Sequence, residues 1–308
     1  MGPEMIEEIL FATIRTGTPL LLVGLGAMIS ERSGVLNLGQ EGMILMGAVC
    51  AFIGAHETGS MALGALSGLV SGGLFSLIFA VITLNLISNQ IATGLALTIF
   101  GTGLSAFIGV EYVGLSVEGL PVIHIPLLSR LPLIGEPLFA QDALVYLSLI
   151  LFAAIYYAMS ATRLGLIIRA VGENPEVAHA MGYRVLLVRY AAVIFGGAMA
   201  GLGGAYLSLA YTPMWTEGMS AGRGWIALAL VVFASWRTER VLLGAWLFAF
   251  ASILHLVLQG LGYDVSSNLL AMLPYIATIL ALVALMSRAG GAGQLAPRSL
   301  GQPYYPQK

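Results

Sequence analysis

The feature that most constrains this chain is a succession of apolar stretches about 20 residues long, the length at which a helix rising 1.5 Å per residue crosses a hydrocarbon core of about 30 Å. They fall near residues 8–29, 41–56, 61–84, 91–110, 143–161, 189–210, 225–236, 241–260 and 269–287. That makes nine; the seventh is short for a crossing and can instead form a hairpin with the eighth inside the membrane, which leaves eight or ten as alternatives. The fold class expected is all-α, a polytopic transmembrane helical bundle forming one domain over residues 1–287. Charged residues make up only 9% of the chain and hydrophobic ones 58%, against roughly a quarter charged in soluble domains. Its 39 glycines, spread without a collagen-like period, suit helices that pack backbone to backbone in lipid.

The N-terminal MGPEMIEEILFATIRTGTPLLL lacks the basic region and small-residue cleavage site of a secretory signal and reads as a retained first span. Cytoplasmic loops carry the excess of Lys and Arg. With nine spans and the C-terminus inside, Arg32, Arg163, Arg169, Arg184, Arg189, Arg237, Arg240, Arg288, Arg298 and Lys308 face the cytoplasm, and only Arg130 and Arg223 face out. The N-terminus then lies outside. Residues 288–308, rich in Gly and Pro and without apolar period, are expected to form a flexible cytoplasmic tail.

Three polar features interrupt the apolar pattern. SERSGVLNLGQEGMILMGA, residues 30–48, puts Glu31, Arg32, Asn37, Gln40 and Glu41 between two spans, with Gly34, Gly39 and Gly42 able to break a helix beside a substrate pathway. An ordinary tight loop with Glu31 and Arg32 in water fits equally. The second feature is the polar stretch 161–190. There Asn174 can cap a helix, Pro175 suits its first position, Glu176 complements its dipole, and Gly182 can take the left-handed conformation that ends it. A helix of about seven residues is marginal alone, so it either docks on a partner or belongs to a solvated loop. The third is Asn85, Ser88, Asn89, Gln90 and Thr93, uncharged groups that can bond a hydroxylated solute or each other. Arg15 can pair with a carboxylate or snorkel outward, and His255 can face a cavity or pack. Trp225 can stack on a solute or anchor at the interface.

Several classes are excluded. A net charge of −2 with no basic run gives no footprint for nucleic acid. The only lysine is Lys308, so no P-loop exists to hold nucleotide phosphates. The four histidines, His56, His124, His179 and His255, are scattered without H-E-x-x-H. Cys50, the single cysteine, permits neither an intrachain disulfide nor a cysteine metal cluster.

From about residue 8 to 287 the chain resembles permease subunits of ABC importers in the branched-chain amino acid, ribose and nucleoside group, closest to the simple-sugar and nucleoside branch. Three stretches carry the resemblance: ERSGVLNLGQEGMILMGA, TRLGLIIRAVGENPEVAHAMGY, and GRGWIALALVVFASWR from Gly222. The resemblance implies that Glu173, Asn174, Pro175, Glu176, His179 and Gly182 form a coupling helix docking on a separate ABC ATPase, which holds ATP and Mg while this chain binds no cofactor. It implies a second permease, a different chain in the nucleoside branch, and an extracytoplasmic solute-binding protein. The setting is a prokaryotic plasma membrane. Asn37, Gln40, Glu41, Asn85, Asn89, Gln90 and Trp225 are the candidates for the substrate pathway. Two departures stand out: the additional first helix of ribose-type relatives is absent, and Arg237-Thr238-Glu239-Arg240 replaces a Gly- or Pro-containing turn. The rival reading is a secondary transporter or channel driven by an ion gradient, which needs a membrane-embedded carboxylate, and only Glu41 qualifies.

Overall fold

The computed structural model describes residues 3–126, 128–130, 132–260, 272, 276, 279, 280, 283 and 296–305. Among them the chain runs α1 (Pro3–Arg32), α2 (Gln40–Thr58), α3 (Met61–Ala80), α4 (Gln90–Gly109), β1 (Val122–His124), α5 (Gly135–Phe139), β2 (Ala140–Asp142), α6 (Ala143–Ala161), α7 (Arg163–Glu173), α8 (Pro175–Ala180), α9 (Val185–Tyr206), α10 (Arg223–Phe233) and α11 (Thr238–Gly260). Local chemistry fixes the boundaries. Gly59 takes a left-handed φ of 68° to end α2, and Ser60 then accepts the Leu63 N–H to start α3. Asp142 accepts the Leu144 and Val145 N–H groups to start α6. The strands β1 and β2 pair antiparallel, Val122 opposite Asp142.

Six described helical segments are long and apolar enough to cross a membrane: Glu4–Arg32, Met61–Asn85, Gln90–Tyr112, Ala143–Ala161, Val185–Tyr211 and Thr238–Gly260. α2 reaches 19 residues but carries Gln40 and Glu41 at one end and His56 and Glu57 at the other. α10 has only 11 residues, as the short seventh stretch foretells. The ninth expected span, 269–287, lies almost entirely outside the described residues.

α9 is the central post. It packs against α1, α2 and α3, and this requires glycine at the crossing. A Cβ on Gly201 would stand 2.1 Å from the Gly68 carbonyl oxygen, and one on Gly47 would stand 2.4 Å from Gly201 Cα. Backbone-to-backbone packing of this kind holds helices together where lipid removes the hydrophobic drive. Around the post, Leu21, Met28, Leu202, Tyr206, Val231 and Val241 form the main core. The outer faces of α3, α4 and α6 present Leu74, Ile99, Phe107 and Ile150, all largely exposed. A soluble monomer does not leave such surface in water, and hydrocarbon covers it here.

α3 and α9 each finish in a π turn, Val81–Asn85 and Leu207–Tyr211, a wide turn found mostly in isolation and often at functional sites. Residues 296–305, within the stretch expected to form a flexible tail, are docked on the bundle. Ser299 is bonded to Gly172 through both its N–H and its hydroxyl, Gly301 N–H donates to the Gly34 carbonyl, and Tyr304 is buried. Polar composition hides this docking, because the segment is held by main-chain bonds, the Ser299 hydroxyl, the Tyr304 ring and two scattered apolar contacts, Ala296 and Leu300, with no apolar period.

Candidate functional site

The chain breaks between α1 and α2 over residues 33–39, where Gly34 has φ 91°. This junction is not a water-exposed loop. Glu31 is buried with its carboxylate accepting the Trp236 indole N–H at 2.6 Å. Asn37 is buried too, its Oδ1 accepting the Gly39 N–H at 2.9 Å, so it shapes the turn into α2.

Glu41 sits in the first turn of α2 and closes on α10. Its Oε1 accepts from the Ser220 hydroxyl at 2.6 Å and the Gly222 N–H at 2.8 Å, and its Oε2 accepts the Gly224 N–H at 2.6 Å. An 11-residue helix is only about 16 Å long, half the hydrocarbon thickness. The other end of α10 meets α1 at Trp236, whose carbonyl accepts from Arg32. Its N-terminus therefore opens inside the bundle, where free N–H groups and the positive end of the dipole attract an anion. Glu41 fills that position.

Beside this half-helix lies a cavity of about 270 Å³ whose polar lining is Thr16, Tyr211, Arg223, Ser252 and His255. Arg223 stacks over the Tyr211 ring at 5.4 Å and donates to the Met219 and Ser220 carbonyls. The Thr16 and Tyr211 hydroxyls are 3.4 Å apart, and His255 Nδ1 is 2.7 Å from the Ser252 carbonyl. Hydroxyls, an imidazole and a guanidinium on an aromatic ring suit a hydroxylated, ring-bearing solute. With the adjacent half-helix N-terminus already neutralised by Glu41, no vacant anion seat is left there.

The other expected pathway residues are dispersed. Gln40 is fully buried, and neither atom of its amide has a bonding partner. Gln90 ties α4 to the α1–α2 junction by accepting the Leu36 N–H at 2.8 Å. Asn89 caps α4 through the Ala92 N–H, and Asn85 is exposed at the π turn. Trp225 lines a second, apolar cavity with Phe233 and Phe248. Arg15 donates to the Ala210 carbonyl at 2.7 Å and lies 4.0 Å from Asp142. Burial raises the Asp142 carboxyl above its ordinary range, and the helix N–H groups and Arg15 pull it partly back. Among the described residues no group of three or more His, Cys, Asp or Glu converges on a point that could hold a metal.

The 161–190 stretch folds into α7 and α8. Asn174 Oδ1 accepts the Val177 N–H at 3.0 Å, Pro175 opens α8, and Gly182 ends it at φ 90°. α7 seats on the α1–α2 junction so closely that a Cβ on Gly172 would stand 2.0 Å from the Arg32 carbonyl oxygen. Ser299 then bridges Gly172 to the fully buried Arg189, whose Nε donates to the Ser33 carbonyl at 3.2 Å and whose guanidinium lies over Tyr304.

Residues 9–285 match the family profile described as branched-chain amino acid transport system / permease component. The chain belongs to this permease family. A putative glucose ABC transporter permease of Haloferax volcanii is 46% identical over 84% of this chain and 80% of its own. A guanosine ABC transporter permease of Bacillus subtilis is 34% identical over 98% and 97%, and a nucleoside ABC transporter permease of Lactococcus lactis 33% over 94% of both. The first two organisms each carry a second, more distant relative named for the same solute, 27% and 24% identical to this chain. No solved structure matches. This permease is thus a non-catalytic, multi-pass ABC transport subunit, with ATP hydrolysis in a separate chain.

Sequence reasoning about the permease missed Tyr211, Thr16 and Ser252. Thr16 and Tyr211 meet across 195 residues, and nothing in their spacing signals it.

Proposed function

We propose that this permease pairs with a second, different member of its family to enclose a pathway for a small neutral solute, a nucleoside in preference to a simple sugar. In this reading the chain crosses a prokaryotic plasma membrane nine times with its N-terminus outside, an extracytoplasmic solute-binding protein delivers the solute, and a separate ATPase carrying ATP and Mg drives alternating access. The observation that carries it is the bonded route from α8 to the membrane interior: α7 wedged on the Arg32 carbonyl, then Ser299, Arg189 and the α1–α2 junction. A push on Glu173, Asn174, Pro175, Glu176, His179 or Gly182 reaches Glu41 and α10 through stiff contacts. The pairs of relatives in Haloferax and Bacillus support a heterodimer.

The polar cavity at Tyr211 and Arg223 supports the solute class, with Gln40 as the further pathway group that has an unused amide. Asn37, Glu41, Asn85, Asn89 and Gln90 shape the pathway, and Trp225 borders it. Glu41 is a poor ion relay because both its oxygens are bonded. The test is uptake of guanosine and of glucose into proteoliposomes holding both permeases, the ATPase and the binding protein. ATP-dependent guanosine uptake that falls on replacing Glu176 and His179 is expected. Uptake that survives without the ATPase and collapses with a proton or sodium gradient would overturn the proposal.

A further inference from the structure

Where α1 and α6 end beside the middle of α7 and the start of α11, Arg32, Arg169 and Arg237 line one cavity of about 240 Å³, with Glu239 beside Arg237. Their positive charge is under-compensated. Arg237 pairs with Glu239 at 2.7 Å, but Arg32 and Arg169 meet only carbonyls, of Trp236 and Met159. Among the described residues no carboxylate lies within ion-pair distance of either, and Glu173, one turn beyond Arg169, is drawn to Arg298 at 3.9 Å. Positive charge at helix ends is ordinary in membrane proteins. Convergence of three guanidinium groups on one hollow against the single lining carboxylate of Glu239 is not.

Met159 forms a wall of this cavity and also of a second one, about 590 Å³, between α6, α7 and α9. Ile29, Leu151, Ile168, Leu187 and Phe195 line it. Leu164 and Leu187 at its margin are largely exposed, so the hollow is continuous with the apolar outer surface. α7 links the two cavities, with Leu164 and Ile168 on the apolar side and Arg169 on the basic side, as in helices that lie at the membrane–water boundary.

We infer that the two cavities form one binding site for an anionic glycerophospholipid, its phosphate held by Arg32, Arg169 and Arg237 and one acyl chain lying between α6, α7 and α9. Guanidinium forks match phosphate oxygens bidentately, and basic pockets between membrane helices are a known means of holding anionic headgroups. The apolar half decides the occupant. An acidic protein segment would satisfy the arginines but has no use for a groove that opens on hydrocarbon.

The site adjoins α7 and the α1–α2 junction, so a bound lipid stiffens the region that couples to the ATPase. Retained lipid is read by native mass spectrometry of the assembled transporter, after equilibration with equal parts phosphatidylglycerol and phosphatidylcholine. Preferential retention of phosphatidylglycerol is expected, with the preference falling roughly fivefold per arginine removed in the Arg169→Gln/Arg237→Gln double variant. Leu187→Trp replaces a largely exposed rim residue, fills the groove and is expected to lower retention with all three arginines intact. This variant carries the test if the double variant does not assemble. Equal retention of the two lipids, or undiminished phosphatidylglycerol on Leu187→Trp, overturns the inference. So does inorganic phosphate competing with the lipid at equal affinity, which would leave the groove without a role. Loss of the ATPase subunit from the double variant with its lipid preference kept would assign the arginines to a protein contact and overturn it too.

Discussion

Glu41 carries a carboxylate into a membrane domain and leaves neither oxygen idle. Hydrogen bonds to a charged group are worth about 1.5–3 kcal/mol each, so Glu41→Ala should cost at least about 3 kcal/mol and lower the melting temperature in detergent. Glu41→Gln should cost less but turn an amide N–H toward a backbone donor, weakening the hold on α10 and slowing transport. Asp142 offers a pH readout. Its carboxyl is raised by burial, so the folded state holds a proton longer than the unfolded chain does. Its contribution is complete below the ordinary carboxylate range near about 4 and is lost as pH climbs through the raised folded value. Asp142→Asn keeps a good cap and removes that loss. The melting gap between variant and wild type should therefore widen in the variant's favour as pH rises above the ordinary carboxylate range. Polar residues in apolar runs mark Glu41 as notable from sequence. Its partners Ser220, Gly222 and Gly224 lie 179 to 183 residues away, beyond any local pattern.

At the scale of elements, α8 is legible because cap, proline and left-handed glycine bracket one short helix between Asn174 and Gly182. Asn174→Ala removes the bond to Val177 N–H and should cost about 1 kcal/mol of helix stability. The expected readout is weaker stimulation of ATPase activity in the assembled transporter, with membrane insertion unchanged. The division of the polar stretch into α7 and α8 follows equally from Thr162 and Asn174 capping each start. The π turns at Val81–Asn85 and Leu207–Tyr211 were not legible, since they arise where tertiary packing pulls a helix end wide and no residue type announces it. The glycine crossing was legible only as composition. Gly201→Val forces a side chain onto the Gly68 carbonyl of α3, and a sharp fall in the yield of folded protein on size-exclusion chromatography is expected.

The whole molecule is where hydropathy reads best and composition misleads most. Lipid as solvent demands long apolar helices, and those runs appear in the chain as plainly as in the bundle. The tail reads as disordered because it lacks an apolar period, yet residues 296–305 complete the surroundings of Arg189 with the Ser299 hydroxyl, the Gln302 carbonyl and the Tyr304 ring. Removing residues 296–308 should lower both thermal stability and coupled transport, whereas Ser299→Ala alone should lower them less. This arrangement also sets a schedule for biogenesis. Ser299 is translated 110 residues after Arg189, so a nascent bundle inserts with its deepest guanidinium still waiting for its lid. Until the tail emerges, Arg189 lacks the Ser299 hydroxyl, the Gln302 carbonyl and the Tyr304 ring. Docking of residues 296–305 then separates a closed subunit from an open one, giving a quality-control machinery a physical difference to recognise.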